Sequence, residues 1–147
     1  MPLDGSMRFS VDLPQGFAFT AFEADQHALP ARELLNRAHK QDGGDILSLE
    51  DWWLALTEDS EFEEDLCFVI EDSKGEMAAF AHCWSSGFVK DIAVHEPHRH
   101  KGLARAMLHQ IFNLFSGRER PHIDLKVLKT NPAVRFYERI GMLTVEF

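Results

Sequence analysis

A chain of 147 residues, 45% hydrophobic and 11% aromatic, has the size of one domain and can bury roughly 68–70% of its unfolded surface around a single core. Its formal charge of −9 argues against a uniformly basic nucleic-acid binder, and no apolar run approaches the ~18 residues of a membrane-spanning helix. Two cysteines, Cys67 and Cys83, offer neither a disulfide framework nor metal-ligand spacing, and they read as buried thiols in a reducing cytoplasm.

The chain reads as one domain over residues 1–147. Residues 1–13 are polar, follow neither helical nor strand period, and are expected to be a flexible N-terminal segment. Their single Arg8 and missing apolar stretch argue against a signal peptide. Gly16 to Phe22, with Phe17, Phe19 and Phe22, reads as a first strand. Asp25 is expected to cap a helix carrying Leu29, Leu34, Leu35 and Ala38, with Pro30 in its first turns and Gly43-Gly44 at its end. Ser48 or Asp51 starts a second helix with Trp52, Trp53 and Leu56, which runs out into the acidic Glu58 to Asp65.

Leu66–Glu71 and Glu76–Trp84 read as a hairpin around Asp72-Ser73-Lys74-Gly75, a pairing that places Cys67 near Phe80. A further strand begins at Gly87 and reaches Val94. Pro97 stops it, and Met107, Leu108, Ile111, Leu114 and Phe115 then recur at helical spacing from Leu103 to Phe115. His122 to Leu128 alternates Ile123, Leu125 and Val127 as a strand. Asn131 caps and Pro132 opens a helix through Arg139, Gly141 ends it, and Leu143 to Phe147 is a last strand. The expected class is α/β with a mixed sheet, in the order β-α-α-β-β-β-α-β-α-β.

Within this order, Val89 to Leu108 is the stretch with chemistry. It runs strand, basic loop, helix, which sets Arg99, His100 and Lys101 at a helix N-terminus. Unpaired N–H groups and the positive end of the helix dipole favour an anion there, and Gly102 and Ala104 lack the bulk that would hold a phosphate away. The charge is also split. Residues 1–75 carry 5 Lys/Arg against 17 Asp/Glu (−12), and residues 76–147 carry 10 against 7 (+3) together with six of the eight histidines. An anionic ligand on one side and a cationic one on the other suit that division. His95, His98 and His100 are too few, without a second ligand pair, to make a structural zinc site, so no metal is expected.

Arg99-x-x-Gly102-x-Ala104, after the strand Ile92-Ala93-Val94, resembles the R/Q-x-x-G-x-G/A signature of the GNAT superfamily of acyl-CoA-dependent N-acyltransferases. Leu125 to Met142 resembles that family's L-x-V…N-x-x-A-x-x-x-Y-E-x-x-G-F stretch, with one residue fewer between Asn131 and Tyr137 and Met142 in place of Phe. The element order matches the GNAT fold over essentially the whole chain.

The resemblance implies acetyl-CoA as acyl donor, wedged between the Val89–Val94 and Ile123–Val127 strands. Backbone groups of Ile92, Ala93 and Val94 would line it, with the Val94 N–H facing the thioester carbonyl. Arg99, His100, Lys101, Gly102, Leu103 and Ala104 would hold the pyrophosphate, Asn131 the amide region, and Tyr137 would stand near the sulfur. Direct attack by an amine then needs a proton donor for the thiolate, for which Tyr137 is suited, and help in deprotonating the amine, for which Asp91, Asp124 or His82 are candidates.

The partners implied are acetyl-CoA and a primary amine acceptor, with no nucleic acid and no membrane; a homodimer is left open. The acidic segment Glu58 to Asp65 is expected to border the acceptor side and to select a cationic small molecule or basic peptide. An acyl-CoA-binding sensor or interaction module without turnover is the alternative.

Overall fold

The apolar runs between Leu66 and Val94 become the middle of a five-stranded sheet. The structure is a computed structural model and describes residues 9–41, 48–118, 122–126 and 133–142. Its strands are β1 (Ala18–Ala21), β2 (Cys67–Glu71), β3 (Met77–Cys83), β4 (Phe88–Val94) and β5 (Asp124–Leu125), hydrogen-bonded in that order. The helices are α1 (Ala24–Gln41), α2 (Leu49–Thr57), α3 (Leu103–Gly117) and α4 (Ala133–Ile140). Pairing is antiparallel from β1 to β4 and parallel between β4 and β5. The expected order is thus found through α4; the last expected strand, Leu143 to Phe147, lies outside the described residues.

Helices cover both faces. Phe68, Ile70, Ala79, Ala81, Cys83 and Val89 point to the side packed by α3 through Leu103, Met107, Leu108, Ile111, Phe112 and Phe115, and α4 adds Phe136, Tyr137 and Ile140 there. Cys67, Val69, Phe80 and Ala93 point to the other side, against Ala28, Ala31, Leu34 and Leu35 of α1 and Trp52 and Leu56 of α2. Each fully buried side chain of this size contributes about 1.5–3 kcal/mol.

Two irregularities in the sheet set which residues face which side. The hairpin closes between Asp72 and Glu76 (2.9 Å), with the Asp72 carboxylate accepting the N–H groups of Lys74 and Glu76 at 2.9 and 3.0 Å. A bulge between Ile70 and Glu71 of β2, opposite Ala79 and Met77, then adds one more residue of offset. Cys67 therefore lies opposite His82, not Phe80 as a plain four-residue turn predicts. Both cysteines are buried free thiols, and burial pushes that of Cys67 up to about 12. The second irregularity falls in β4. His82 pairs with Asp91 and Cys83 with Val89, so Lys90 is the extra residue, and Val89 joins the same face as Ile92 and Val94.

Some local expectations shift by a residue or more. Asp25 lies inside the first turn of α1, not at its cap; the Glu23 N–H is bonded instead by Nδ1 of His27 at 2.9 Å. Pro30 falls within the first two turns of α1, as expected, and removes a helix hydrogen bond there. Ser48 is the cap of α2, accepting the Asp51 N–H at 3.1 Å. The described part of the N-terminal stretch is no loose appendage. Phe9 exchanges two hydrogen bonds with the Asn113 side chain, at 2.7 and 2.8 Å, and its ring lies 5.2 Å from that of Phe112.

Candidate active site

The basic loop joins β4 to α3. Gly102, at φ +85°, is the N-cap of α3, in a left-handed conformation that favours glycine, and a β-carbon built on it would meet no atom within 4 Å. No side chain caps this helix, so the first-turn N–H groups point into the open space in front of Gly102. Leu103 is anchored in the core at 1% exposure, whereas Arg99, His100, Lys101 and Arg105 are exposed around it. Arg99 turns back, its Nε 3.3 Å from the Val94 carbonyl, and the Lys101 ammonium lies 5.6 Å from the Phe17 ring centroid. His98 pairs with Asp72 at 3.5 Å, and among the described residues no group of three or more His, Cys, Asp and Glu is placed to hold a metal ion.

The candidate cleft lies above the loop, along the edge of β4 that pairs with β5. Their register is Phe88 with Asp124 and Val89 with Leu125, and among the described residues it goes no further. Gly87 makes this junction possible. At φ +98° it lets the strands meet so closely that a β-carbon would stand 2.4 Å from the His122 carbonyl oxygen, while its own carbonyl accepts the Asp124 N–H at 3.0 Å. Past the junction, the His95 N–H donates to Ala78 across the β3 side at 2.8 Å. Because backbone groups alternate along a strand, the N–H and C=O of Val94 and Ile92 turn to the opposite edge, toward the cleft, as the turn of Arg99 onto the Val94 carbonyl also requires. A cavity of about 360 Å³ opens beside this end of β4, lined by Leu34, Arg37, Val94, His95, Pro97 and Arg99.

The two residues expected to carry proton chemistry stand on opposite faces. Tyr137, on α4, packs with the α3 side; burial raises its phenol, which stays protonated at neutral pH. Asp91 follows the Lys90 bulge and faces α1 and α2, 8% exposed, with its carboxylate 3.0 Å from the Lys90 ammonium. Asp124 is exposed on β5. Asn131 lies outside the described residues.

Around Asp91 is a buried polar group made of His82, a candidate from the sequence, and Arg32, which the sequence reading did not name. Arg32 of α1 is 3% exposed, donates to Asn36 and lies 5.3 Å over the Trp52 ring. Burial lowers its pKa and the charge of Asp91 opposes that. His82, opposite Asp91, is fully buried; desolvation takes its pKa down to about 4, with Asp91 opposing, so the ring is neutral near pH 7. Arg32 Nε, Trp52 Nε1 and both ring nitrogens of His82 are buried without a hydrogen-bond partner among the described residues. The sequence did hold one signal: Arg32 interrupts the apolar face Ala28, Ala31, Leu34, Leu35 of α1, where a charge needs a reason.

The acidic segment lies at the opposite end of β4 from the basic loop, with three of its carboxylates engaged in holding the fold. Asp59 accepts the Glu61 N–H at 2.8 Å. Glu61 accepts the Ser86 N–H at 3.0 Å, and its carbonyl that of Ser85 at 3.0 Å; Glu63 pairs with Arg118 at 3.1 Å. Glu58, Asp59, Glu64 and Asp65 are exposed.

A model of the acetyltransferase (GNAT) domain matches residues 63–141, more than half of the chain. No curated protein sequence matches. Among solved structures, a GCN5-related N-acetyltransferase from Sphaerobacter thermophilus superposes with a TM-score of 0.78 at 18% identity over 96% of this chain, which spans only 46% of that protein. The ribosomal-protein-S18-alanine N-acetyltransferase from Escherichia coli (TM-score 0.67, 24% identity) is matched over 85% of this chain and 76% of its own. A spermidine N-acetyltransferase mutant from Vibrio cholerae (TM-score 0.68, 18% identity) is matched over 90% and 83%. At such identities the structures establish the likeness of fold.

Proposed function

Since this chain belongs to the GNAT acetyltransferase family, we propose that it transfers an acetyl group from acetyl-CoA directly to a primary amine, in a ternary complex. The observation that carries this reading is the β4/β5 junction. There the pairing among the described residues joins Phe88 to Asp124 and Val89 to Leu125, the backbone groups of Ile92 and Val94 turn to the same edge of β4, and an open helix N-terminus follows at Gly102. The residues present fit a pyrophosphate: first-turn N–H groups with room before them, and the exposed cations Arg99, Lys101 and Arg105 within the same loop.

When bound, acetyl-CoA supplies an acetyl group activated as a thioester. The Val94 N–H donates to the oxygen on which negative charge collects as the amine attacks. Tyr137, held protonated by burial, gives its proton to the departing sulfur. Asp91 on the opposite face attracts the ammonium and, directly or through water, accepts the proton that the amine must lose, because an alkylamine is about one part in a thousand neutral near pH 7.4.

The acceptor we propose is cationic: a polyamine, an amino sugar or a basic peptide. The exposed carboxylates Glu58, Asp59, Glu64 and Asp65 at the far end of β4 support it, and so does the fold shared with an enzyme named for spermidine. Thiol release from acetyl-CoA across a panel of cationic, neutral and acidic amines tests the reading. Turnover should be confined to the cationic members, with kcat/KM falling as salt rises. A best acceptor that is neutral or acidic overturns the charge argument, and acetyl-CoA binding without release of its thiol in the presence of any amine overturns the transferase in favour of an acyl-CoA sensor.

A further inference from the structure

The cavity beside the end of β4 has walls from two elements that no motif connects. Leu34 and Arg37 of α1 form one wall; Val94, His95 and Arg99, at the end of β4 and in the loop that follows, form the other. Its volume of about 360 Å³ falls in the range of small-molecule sites. Leu34 is buried and ties the α1 wall to the core, whereas Arg37 and Arg99 line the same space and remain exposed. Arg99 uses only its Nε on the Val94 carbonyl, at 3.3 Å, which leaves the two Nη groups of its fork for a further acceptor.

The charges of this cavity select the sign of its ligand. Two guanidiniums line it with one carboxylate, that of Glu96, and among the described residues neither Arg37 nor Arg99 is in an ion pair. Burial lowers the pKa of His95, and the charges of Arg37 and His98 lower it further, against Glu76 and Asp72, so the ring is neutral near pH 7 and the Arg37 charge reaches the β4 wall. A cationic acceptor is repelled by such a pair of arginines, so the cavity suits the anionic partner of the reaction. Phosphate is the group that planar guanidinium forks grip best, by paired charge-assisted hydrogen bonds. The helix N-terminus at Gly102 supplies only about half a positive charge, whereas a phosphate monoester alone carries about −1.5 to −2, so a cosubstrate with several phosphates calls for cations beyond that terminus.

We propose that Arg37 and Arg99 clamp a phosphate group of acetyl-CoA in this cavity, which makes α1 a second wall of the cosubstrate site and Arg37 a binding residue outside every motif. This rests on the reading of acetyl-CoA as acyl donor and adds a contact from beyond the β4–α3 loop. The diphosphate bridge and the ribose phosphate present the same tetrahedral oxygens to the two forks, and a ligand lacking one of them tells which is held.

Calorimetric titration of the whole chain with CoA and with dephospho-CoA, which lacks the ribose phosphate, tests the clamp. Arg37→Gln keeps a good helix former at an exposed position, so the fold should survive. Its affinity for CoA should fall by about five- to twentyfold, the difference from the native chain should narrow as salt rises, and Arg37→Lys, which keeps the charge without the fork, should recover part of the loss. Arg118→Gln removes the same charge at the far end of α3 and should leave the affinity unchanged. A loss with both ligands places the diphosphate in the clamp; a loss with CoA alone places the ribose phosphate there. Unchanged CoA affinity in a folded Arg37→Gln variant, an equal loss in Arg118→Gln, or a loss that neither salt nor Arg37→Lys reduces overturns the clamp. CoA binding and thiol release that Arg37→Gln leaves intact sink the clamp alone, whereas a native chain that binds no CoA overturns the acyl-CoA reading and the clamp with it.

Discussion

The two faces of the sheet are built from the same strands and put to different use. Toward α3 the buried residues are hydrocarbon almost throughout: Ile111, Phe112, Phe115, Leu108 and Met107 fill the space over Ile70, Ala79 and Ala81, and every one of those side chains is at most 1% exposed. Toward α1 and α2 the same sheet buries Arg32, His82 and Asp91, and among the described residues that side holds all four of the buried side-chain nitrogens without partners. Leaving such groups unpaired costs about 1–3 kcal/mol each. The contrast teaches that the first face supplies stability, and the second spends part of it to keep polar groups dry beside the cleft.

That comparison can be broken in three places. The largest effect concerns Tyr137, the polar group on the apolar face that we propose as proton donor. Tyr137→Phe keeps its packing and removes its proton, so kcat should fall by roughly ten- to a thousandfold with acetyl-CoA affinity little changed, read by steady-state kinetics beside calorimetric binding. A variant turning over at the native rate would return Tyr137 to the core it packs against.

Next in size is stability on the two faces. Ile111→Ala, on the hydrocarbon side, should lose about 2–5 kcal/mol in urea unfolding at any pH. His82, on the polar side, should make stability depend on pH. Its folded pKa, about 4, lies below the ordinary 6.5, so below pH 6.5 the unfolded chain takes up a proton that the folded one refuses. Its contribution is complete above pH 6.5 and is lost as the pH falls toward 4, on the order of 3 kcal/mol in all. His82→Leu should flatten the unfolding free energy between pH 7 and pH 4 by that amount relative to the native chain. Parallel curves for the two proteins would mean that the imidazole is hydrated.

The smallest effect sharpens the boundary between the faces, at the loop where β4 leaves the sheet. Gly102→Glu introduces a negative charge at the open N-terminus of α3 and a side chain at φ +85°, so acetyl-CoA affinity should drop by about tenfold or somewhat more, with unfolding changed by about 1–2 kcal/mol. Unchanged calorimetric affinity in the folded variant would move the phosphates elsewhere.

Much of this protein was legible in order along the chain, because its signals are local. Period and turn residues locate β2, β3, β4, α3 and α4 to within two residues or so, since apolar spacing, Pro97 and Gly141 act on their own neighbourhoods. The Arg99-x-x-Gly102-x-Ala104 loop is readable for the same reason: a helix N-terminus is an anion site wherever it occurs. Residues 9–13 deceived because their anchors, Phe112 and Asn113, are about a hundred positions away.

What only tertiary structure decided is which side chains face one another. One extra residue, Lys90, sets Val89 on the same face as Ile92, with Asp91 turned to the other, and one bulge in the hairpin puts Cys67 opposite His82. A strand alternates its side chains every residue, so a single insertion exchanges its faces while leaving composition and periodicity nearly unchanged. The sequence by itself determined the elements and the basic loop at the N-terminus of α3. The meeting of Arg32, His82 and Asp91 from three elements, and of Arg37 and Arg99 at one cavity, follows from register and packing, because it joins positions that no local pattern links.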